Sequence, residues 1–266
     1  MILFIFEGQV EEPKIMATLE QLFLNRIEEQ LICSYGADTY TLWKDIVEYQ
    51  KSGYEIDVFS IIKERLHSRG DHSLDEYYSH QIESIYLFFD YDPQNRTIPA
   101  DTLNLAIANM VNLFSDPMNK GQIYISYPMI EAVYCENNSC DDTYISYSVP
   151  ISKCTTKEWS NAYEYGRKRL KVIFKTNKSN IITEPLTEER ISELKDTWTN
   201  IIKLNAIKAN YITNDIIVMP EDMTDIEQNK IFDGQLQKFV NTNSSVSILS
   251  AFAIFLYEYF HGNGEF

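Results

Sequence analysis

Three short apolar runs punctuate the first half of the chain: Ile2–Phe6 (ILFIF), Ile85–Phe89 (IYLFF) and Gln122–Ser126 (QIYIS). The first two are apolar throughout, the pattern of strands covered by helices on both faces. After the first run, EEPKIMATLEQLFLNRIEEQL places Ile15, Leu19, Leu22, Phe23 and Ile27 on one helical stripe, with Pro13 suited to the first turn. After the second, IPADTLNLAIANMVNLF turns Leu103, Ile107, Met110, Val111 and Phe114 the same way. Strand, helix, strand, helix, strand is the grammar of an α/β protein with a parallel sheet flanked by helices.

The interval between the first two runs is too long for a simple crossover. YTLWKDIVEYQ, EIDVFSIIKERLHS and SLDEYYSHQIES each have helical spacing, so residues 33–83 are expected to form a helical insertion. NNSCDDTYISYSV reads as a loop followed by a strand or hairpin. From Trp159 onward the pattern is mostly helical. Thr187 is a plausible cap for a helix carrying Ile191, Leu194, Trp198, Ile201 and Ile202, and DIEQNKIFDGQLQKFV and SVSILSAFAIFLYEYF continue the helical part. The expected organisation is an α/β domain over residues 1–150 and a mostly helical C-terminal region, 151–266, packing on it.

In an open α/β sheet, ligands collect beyond the carboxyl ends of the strands. Glu7 follows the first run directly, Asp90 and Asp92 follow the second, and Glu131 lies just past the third. Asp90 and Asp92, at i and i+2, share a direction as long as the backbone stays extended. Gly8 permits a tight turn or a close approach. Carboxylates gathered this way repel one another unless they are protonated or share a cation, and an oxygen-only set suits Mg²⁺ or Mn²⁺. A single acid at a strand end is more often a cap or a solvated residue. The pairing of an apolar run plus Glu-Gly with a later apolar run plus Asp-x-Asp is far more selective.

At these residues the chain resembles the Toprim domain, with Glu-Gly after the first strand and Asp-x-Asp after a later one. FEGQVEEPKI and SYPMIEA are most similar to RloB-like proteins and the overcoming-lysogenization-defect (OLD) nucleases, anti-phage effectors that contain this domain. The resemblance covers Met1 to Ala132 with the insertion set aside. It implies a Toprim-like fold and a Mg²⁺-dependent nuclease acting on DNA or RNA in anti-phage defence. Glu7 would be the general acid/base or metal-binding glutamate, and Asp90 and Asp92 the metal-holding pair. Glu11, or Glu12 in its place, would add an acid, and Ser126 and Glu131 match a weaker S-x-P-x-x-E pattern. The spacing from Glu7 to Asp90 is longer than in a minimal Toprim domain. There is no GxxxxGK[ST], so the resemblance further implies control by a partner ATPase or by self-assembly, a homodimer among the options.

Composition narrows the alternatives. Net charge is −16, from 39 acids against 23 bases, which argues against a nonspecific nucleic-acid coat. The bases are grouped: GRKRLKVIFKTNK brings Arg167, Lys171, Lys175 and Lys178 onto one face if it is helical, a spacing that could follow a phosphate backbone, whereas a strand at KVIF would scatter them. Lys153 is a further candidate by analogy. A solvated basic face is an equally good reading. Cys33, Cys135, Cys140 and Cys154 form no CxxC and read as free thiols of a cytoplasmic protein, with a Cys135–Cys140 disulfide or metal site as the alternative. MILFIF meets Glu7 without a basic leader, and no apolar stretch reaches the roughly 20 residues of a membrane helix. FFDYDPQ also fits the Asp-x-Asp of haloacid-dehalogenase-like phosphatases, though Gln94 departs from that motif. A catalytically silent Toprim-fold interaction or sensor subunit is the other alternative.

Overall fold

β1 (Ile2–Phe6) is the axis of the molecule. In the computed structural model it pairs in parallel with β2 (Gln30–Ser34) on one side and β3 (Ser84–Asp90) on the other. The structure describes residues 1–24, 29–53, 55–94, 98–135, 142–156, 159, 174–177, 180–183 and 186–262. β5 (Gly121–Ser126) continues the parallel sheet beside β3, and the two-residue β4 (Ser115–Asp116) closes the edge antiparallel, for an order β2-β1-β3-β5-β4. The α/β fold class expected from the pattern is the one observed.

The connections account for this order. α1 (Glu11–Leu19) continues as a π-helical turn through Leu24 and leads to β2. α2 (Thr39–Lys51) and α3 (Val58–Ser68) then carry the chain back past β1 to β3. Each starts at an aspartate cap: Asp38 accepts from the Thr41 amide and Asp57 from the Ser60 amide. α4 (Ala100–Leu113) crosses from β3 to β5 and buries Leu103, Ile107, Met110, Val111 and, just past its end, Phe114, the stripe read from the sequence.

Two sequence expectations need correction. Cys33 belongs to β2, so the insertion begins after a strand that the pattern did not reveal. SLDEYYSHQIES forms no α-helix: after α3 it makes turns and a single 3₁₀ turn at Ser79–Gln81, held by backbone bonds such as Asp75 N to His72 O. Ile27 and Cys140 lie outside the described residues, while Cys33, Cys135 and Cys154 are buried free thiols.

Past β5, α5 (Asp142–Ser146) and β6 (Ser148–Pro150) occupy the segment read as a loop and strand. β7 (Phe174–Asn177) and β8 (Asn180–Thr183) form an antiparallel pair. α6 (Glu188–Asn214) starts where Thr187 accepts from the Arg190 amide at 3.2 Å, the cap read from the sequence. α7 (Gln228–Gly234) follows, extended by a π turn to Val240, and then β9 (Ser245–Ser247) and α8 (Ala251–Gly262).

The C-terminal region does not form a separate core. β9 pairs with β6, and Phe252 and Phe255 of α8 lie against Phe6, Phe88 and Tyr124 of the sheet, with Phe88 and Phe252 stacked at 4.7 Å between centroids. Alternation along the strands turns Phe4, Phe6, Tyr86, Phe88 and Tyr124 to this face. Each buried aromatic ring contributes about 1.5–3 kcal/mol by removal from water, so α8 is integral to the sheet's stability. Among the described residues no helix is long and apolar enough to cross a membrane.

Candidate active site

β1 and β3 are neighbours although their connections leave in opposite directions, one toward β2 and the other toward β5. Such a strand-order reversal opens a crevice at the carboxyl ends, where α/β proteins place ligands. Glu7 stands at the end of β1 and Asp90 at the end of β3. The Asp90 amide donates to Glu7 Oε2 at 3.0 Å, so two residues 83 positions apart meet across this crevice. The backbone fixes them: the Glu7 amide donates to Phe88 O, Gly36 N to Glu7 O, and Thr39 Oγ1 to Asp90 O at 2.8 Å.

The loop after β1 brings in a third acid. Gly8 N donates to Glu12 Oε1 at 3.0 Å, and a Cβ on Gly8 would lie 2.5 Å from Glu12 Oε2. Glycine is therefore required at this position for the carboxylate to fold back over the turn. Glu12 is only 6% exposed. Glu11, one residue earlier, turns elsewhere: its carboxylate accepts from the Tyr134 hydroxyl at 3.1 Å and faces Lys14 at 3.8 Å. Of the two glutamates after Glu-Gly, Glu12 is the one whose charge reaches both Glu7 and Asp90.

The segment after β5 closes the other side. Ser126 is buried opposite Asp90 in the strand register, Tyr91 N donates to Ser126 O, and Asp92 N to Pro128 O at 3.1 Å, beyond the cis Tyr127–Pro128 bond. The Ile130 amide hydrogen-bonds the Asp90 carboxylate, and the buried Glu131 lies within electrostatic reach of Asp90 and Glu12.

Asp92 departs from the expected geometry. β3 ends at Asp90, and Asp92 has φ of 37°, in the left-handed region, so it does not extend the strand with its side chain parallel to that of Asp90. Its carboxylate accepts from the Gln94 amide, and Oδ1 is buried without a hydrogen-bond partner.

The electrostatics follow from crowding. Burial first, and then Glu12, Asp38 and Asp92, push the Glu7 carboxyl up to about 8, against the lowering effect of the Asp90 amide. Burial and the charges of Glu7, Glu12 and Glu131 hold Asp90 well above the usual carboxylate range. Burial likewise raises Glu12 and Asp92. Asp38, the cap of α2, is a member that sequence reasoning missed, since only the hidden β2 brings it to this edge. Among the described residues no lysine, arginine or histidine forms an ion pair with Glu7, Glu12, Asp90 or Asp92.

The donor set suits a hard divalent ion. It is all oxygen, and among the described residues Glu7, Glu12, Asp90 and Asp92 have no cationic partner and one buried Asp92 oxygen has no donor. The acids are gathered but not closed into a cage, for among the described residues no three of them bring one carboxylate oxygen each within 4.8 Å of the others. An ion held here would therefore rest on one or two carboxylates and keep several waters, a coordination that Mg²⁺ tolerates. Glu7 and Asp90, which meet through the Asp90 amide, are the residues that could hold such an ion, with Glu12, Asp92 and Glu131 near enough to feel its charge.

The basic candidates are less concentrated. Lys175 lies in β7, so no single helix carries the stripe; Arg167, Lys171 and Lys178 lie outside the described residues. Lys153 is exposed on a 3₁₀ helix at Ile151–Thr156, which Thr155 Oγ1 ties to Gln94 Oε1 at 2.6 Å, immediately beyond Asp92. No protein-family model, no curated protein and no solved structure matches the chain.

Proposed function

We propose that the chain is a divalent-cation-dependent nuclease of Toprim type. The observation that carries this reading is the meeting of Glu7 and Asp90 at the β1/β3 crevice, two acids with raised pKa values and no counter-cation among the described residues. With its carboxyl near 8, Glu7 exchanges a proton close to neutral pH, the property of a general acid/base acting on water or a leaving oxygen. Asp90, fixed by the Ile130 amide and Thr39, is the principal metal-holding carboxylate. Mg²⁺ or Mn²⁺ bound there would supply charge stabilisation at a phosphoryl oxygen. Lys153 sits beside the Asp92 loop, where it would meet a phosphate backbone. The resemblance extends the proposal to an anti-phage role under a partner ATPase.

The test is cleavage of labelled single- and double-stranded DNA and RNA with Mg²⁺ or Mn²⁺. Metal-dependent cleavage abolished by Glu7→Gln and by Asp90→Asn, with folding intact, is the expected result. Cleavage that survives both substitutions, or none on any substrate, overturns the proposal. The open spacing of the donor oxygens and the left-handed Asp92 favour a second reading, a Toprim-like subunit that binds without catalysis. Under it, metal and nucleic acid bind but no cleavage follows.

A further inference from the structure

The three donors that do converge lie elsewhere. His67, in the last turn of α3, and His72 and Asp75, on the turn that follows, place one donor atom each within 4.8 Å of the others. Asp75 bridges the two rings: Oδ1 is 3.2 Å from His67 Nδ1, and Oδ2 is 2.8 Å from His72 Nδ1. The rings meet edge to face with centroids 4.8 Å apart, so both Nδ1 atoms address the same carboxylate.

The backbone beneath them is fixed independently of these side chains. The Arg69, Gly70 and Asp71 amides close the end of α3 on Leu66 O and His67 O, and Gly70 takes a φ of 79° there. Lys63 Nζ donates to Asp75 O and Tyr77 O, both at 2.9 Å, and Leu74 is buried. The turn is therefore held against α3 from both ends. His67 and Asp75 also line an open cleft of about 500 Å³ shared with Phe59, Lys63, Tyr77 and Tyr78.

We propose that His67, His72 and Asp75 form a binding site for a borderline transition ion of the Zn²⁺ class. Two imidazoles and a carboxylate suit zinc, with bonds of about 2.0–2.2 Å, and leave a fourth position open to water or a ligand from the cleft. At that bond length tetrahedral donors stand roughly 3.3 Å apart; the two histidine–aspartate separations, 3.2 and 2.8 Å, are already near it, so the widest pair closes by at most about 1.5 Å, within the reach of exposed rotamers on a fixed turn. Nitrogen donors rank Zn²⁺ above Mn²⁺ and disfavour Mg²⁺. The site would staple the turn to α3 and place the ion on the wall of the cleft. It shares no residue with the acidic crevice and does not depend on that crevice's function.

Calorimetric titration of the full chain with Zn²⁺ tests the proposal, alongside the visible spectrum with Co²⁺, whose absorption intensifies on leaving octahedral coordination. Both are repeated in His67→Ala, His72→Ala, Asp75→Asn and, as a control for the acidic crevice, Glu7→Gln/Asp90→Asn. With excess Mg²⁺ present to occupy the crevice, the expected result is one Zn²⁺ bound, weakened by about tenfold or more in each His or Asp variant and retained in the control. Absent Zn²⁺ binding, or binding unchanged by loss of both histidines, overturns it. Because all three side chains are partly or largely exposed, the substitutions leave folding intact, which circular dichroism verifies.

Discussion

Replacing the ionisable Glu7 carboxyl by an amide should make the metal-free protein more stable at neutral pH, the reverse of the usual outcome at a buried polar residue. Folding raises this carboxyl from 4.5 to about 8. Between those values the folded state retains a proton that the unfolded chain has released, so stability falls as pH rises. The slope is about 1.4 kcal/mol per pH unit for one proton. Asp90, raised in the same way, adds to it. Glu258, which accepts from the Tyr124 hydroxyl at 2.5 Å and is pushed up to about 7 by burial, contributes a slope of the same sign.

Lys208, buried and lowered to about 7, acts oppositely, but only above that pH. The quantity specific to the crevice is therefore the difference between wild type and Glu7→Gln below neutrality, because the amide can still accept from the Asp90 N–H. Over the two units from about pH 5 to pH 7 the variant should gain up to about 2.8 kcal/mol relative to wild type, and roughly half that if water relaxes the site. Urea denaturation with EDTA, followed by tryptophan fluorescence at several pH values, measures it. A gap that does not widen with pH would refute the claim that burial and neighbouring acids hold Glu7 protonated.

Three further outcomes follow from the same structure. Metal binding near pH 7 should release about one to two protons per ion, since Glu7 is mostly protonated there and Asp90 is raised in the same way; titration calorimetry in buffers of different ionisation enthalpy reads this, and zero release contradicts it. Gly8→Ala should expel the Glu12 carboxylate from the turn and weaken Mn²⁺ binding several-fold, while stability changes by only about 1 kcal/mol, since a flexible side chain gives way; an unchanged Mn²⁺ titration would show that Glu12 is idle. Lys208→Met should cost about 2 kcal/mol in urea denaturation, because the carbonyls of Tyr144, in α5, and of Tyr147, just past it, each lose a donor, and a neutral result would deny the lysine its structural role.

The strands that carry the site were legible because nothing competes with them. ILFIF, IYLFF and QIYIS are too apolar for a loop and too short for a buried helix, and their ends bear the acids. β2 was not legible: QLICS directly follows a helical stripe, carries glutamine and cysteine, and has no turn residue before it. With β2 hidden, Asp38 read as part of an insertion rather than as the third loop of the crevice. Glu11 and Glu12 are adjacent and chemically alike, so only the close approach over Gly8 separates them. Asp-x-Asp implied an extended pair, but the strand stops at the first aspartate, where the chain turns across Pro128. The His67–His72–Asp75 group is hard to see in the sequence, because two histidines five residues apart with an aspartate three residues on match no zinc-finger spacing.

Diffraction from crystals soaked in Mn²⁺, with the anomalous signal measured at the manganese edge, tests the central claim most directly. A peak between the Glu7 and Asp90 carboxylates, lost in Asp90→Asn, is the expected result. Manganese absent from that crevice at saturating concentration, with both side chains ordered, would contradict the claim that these acids share a divalent ion.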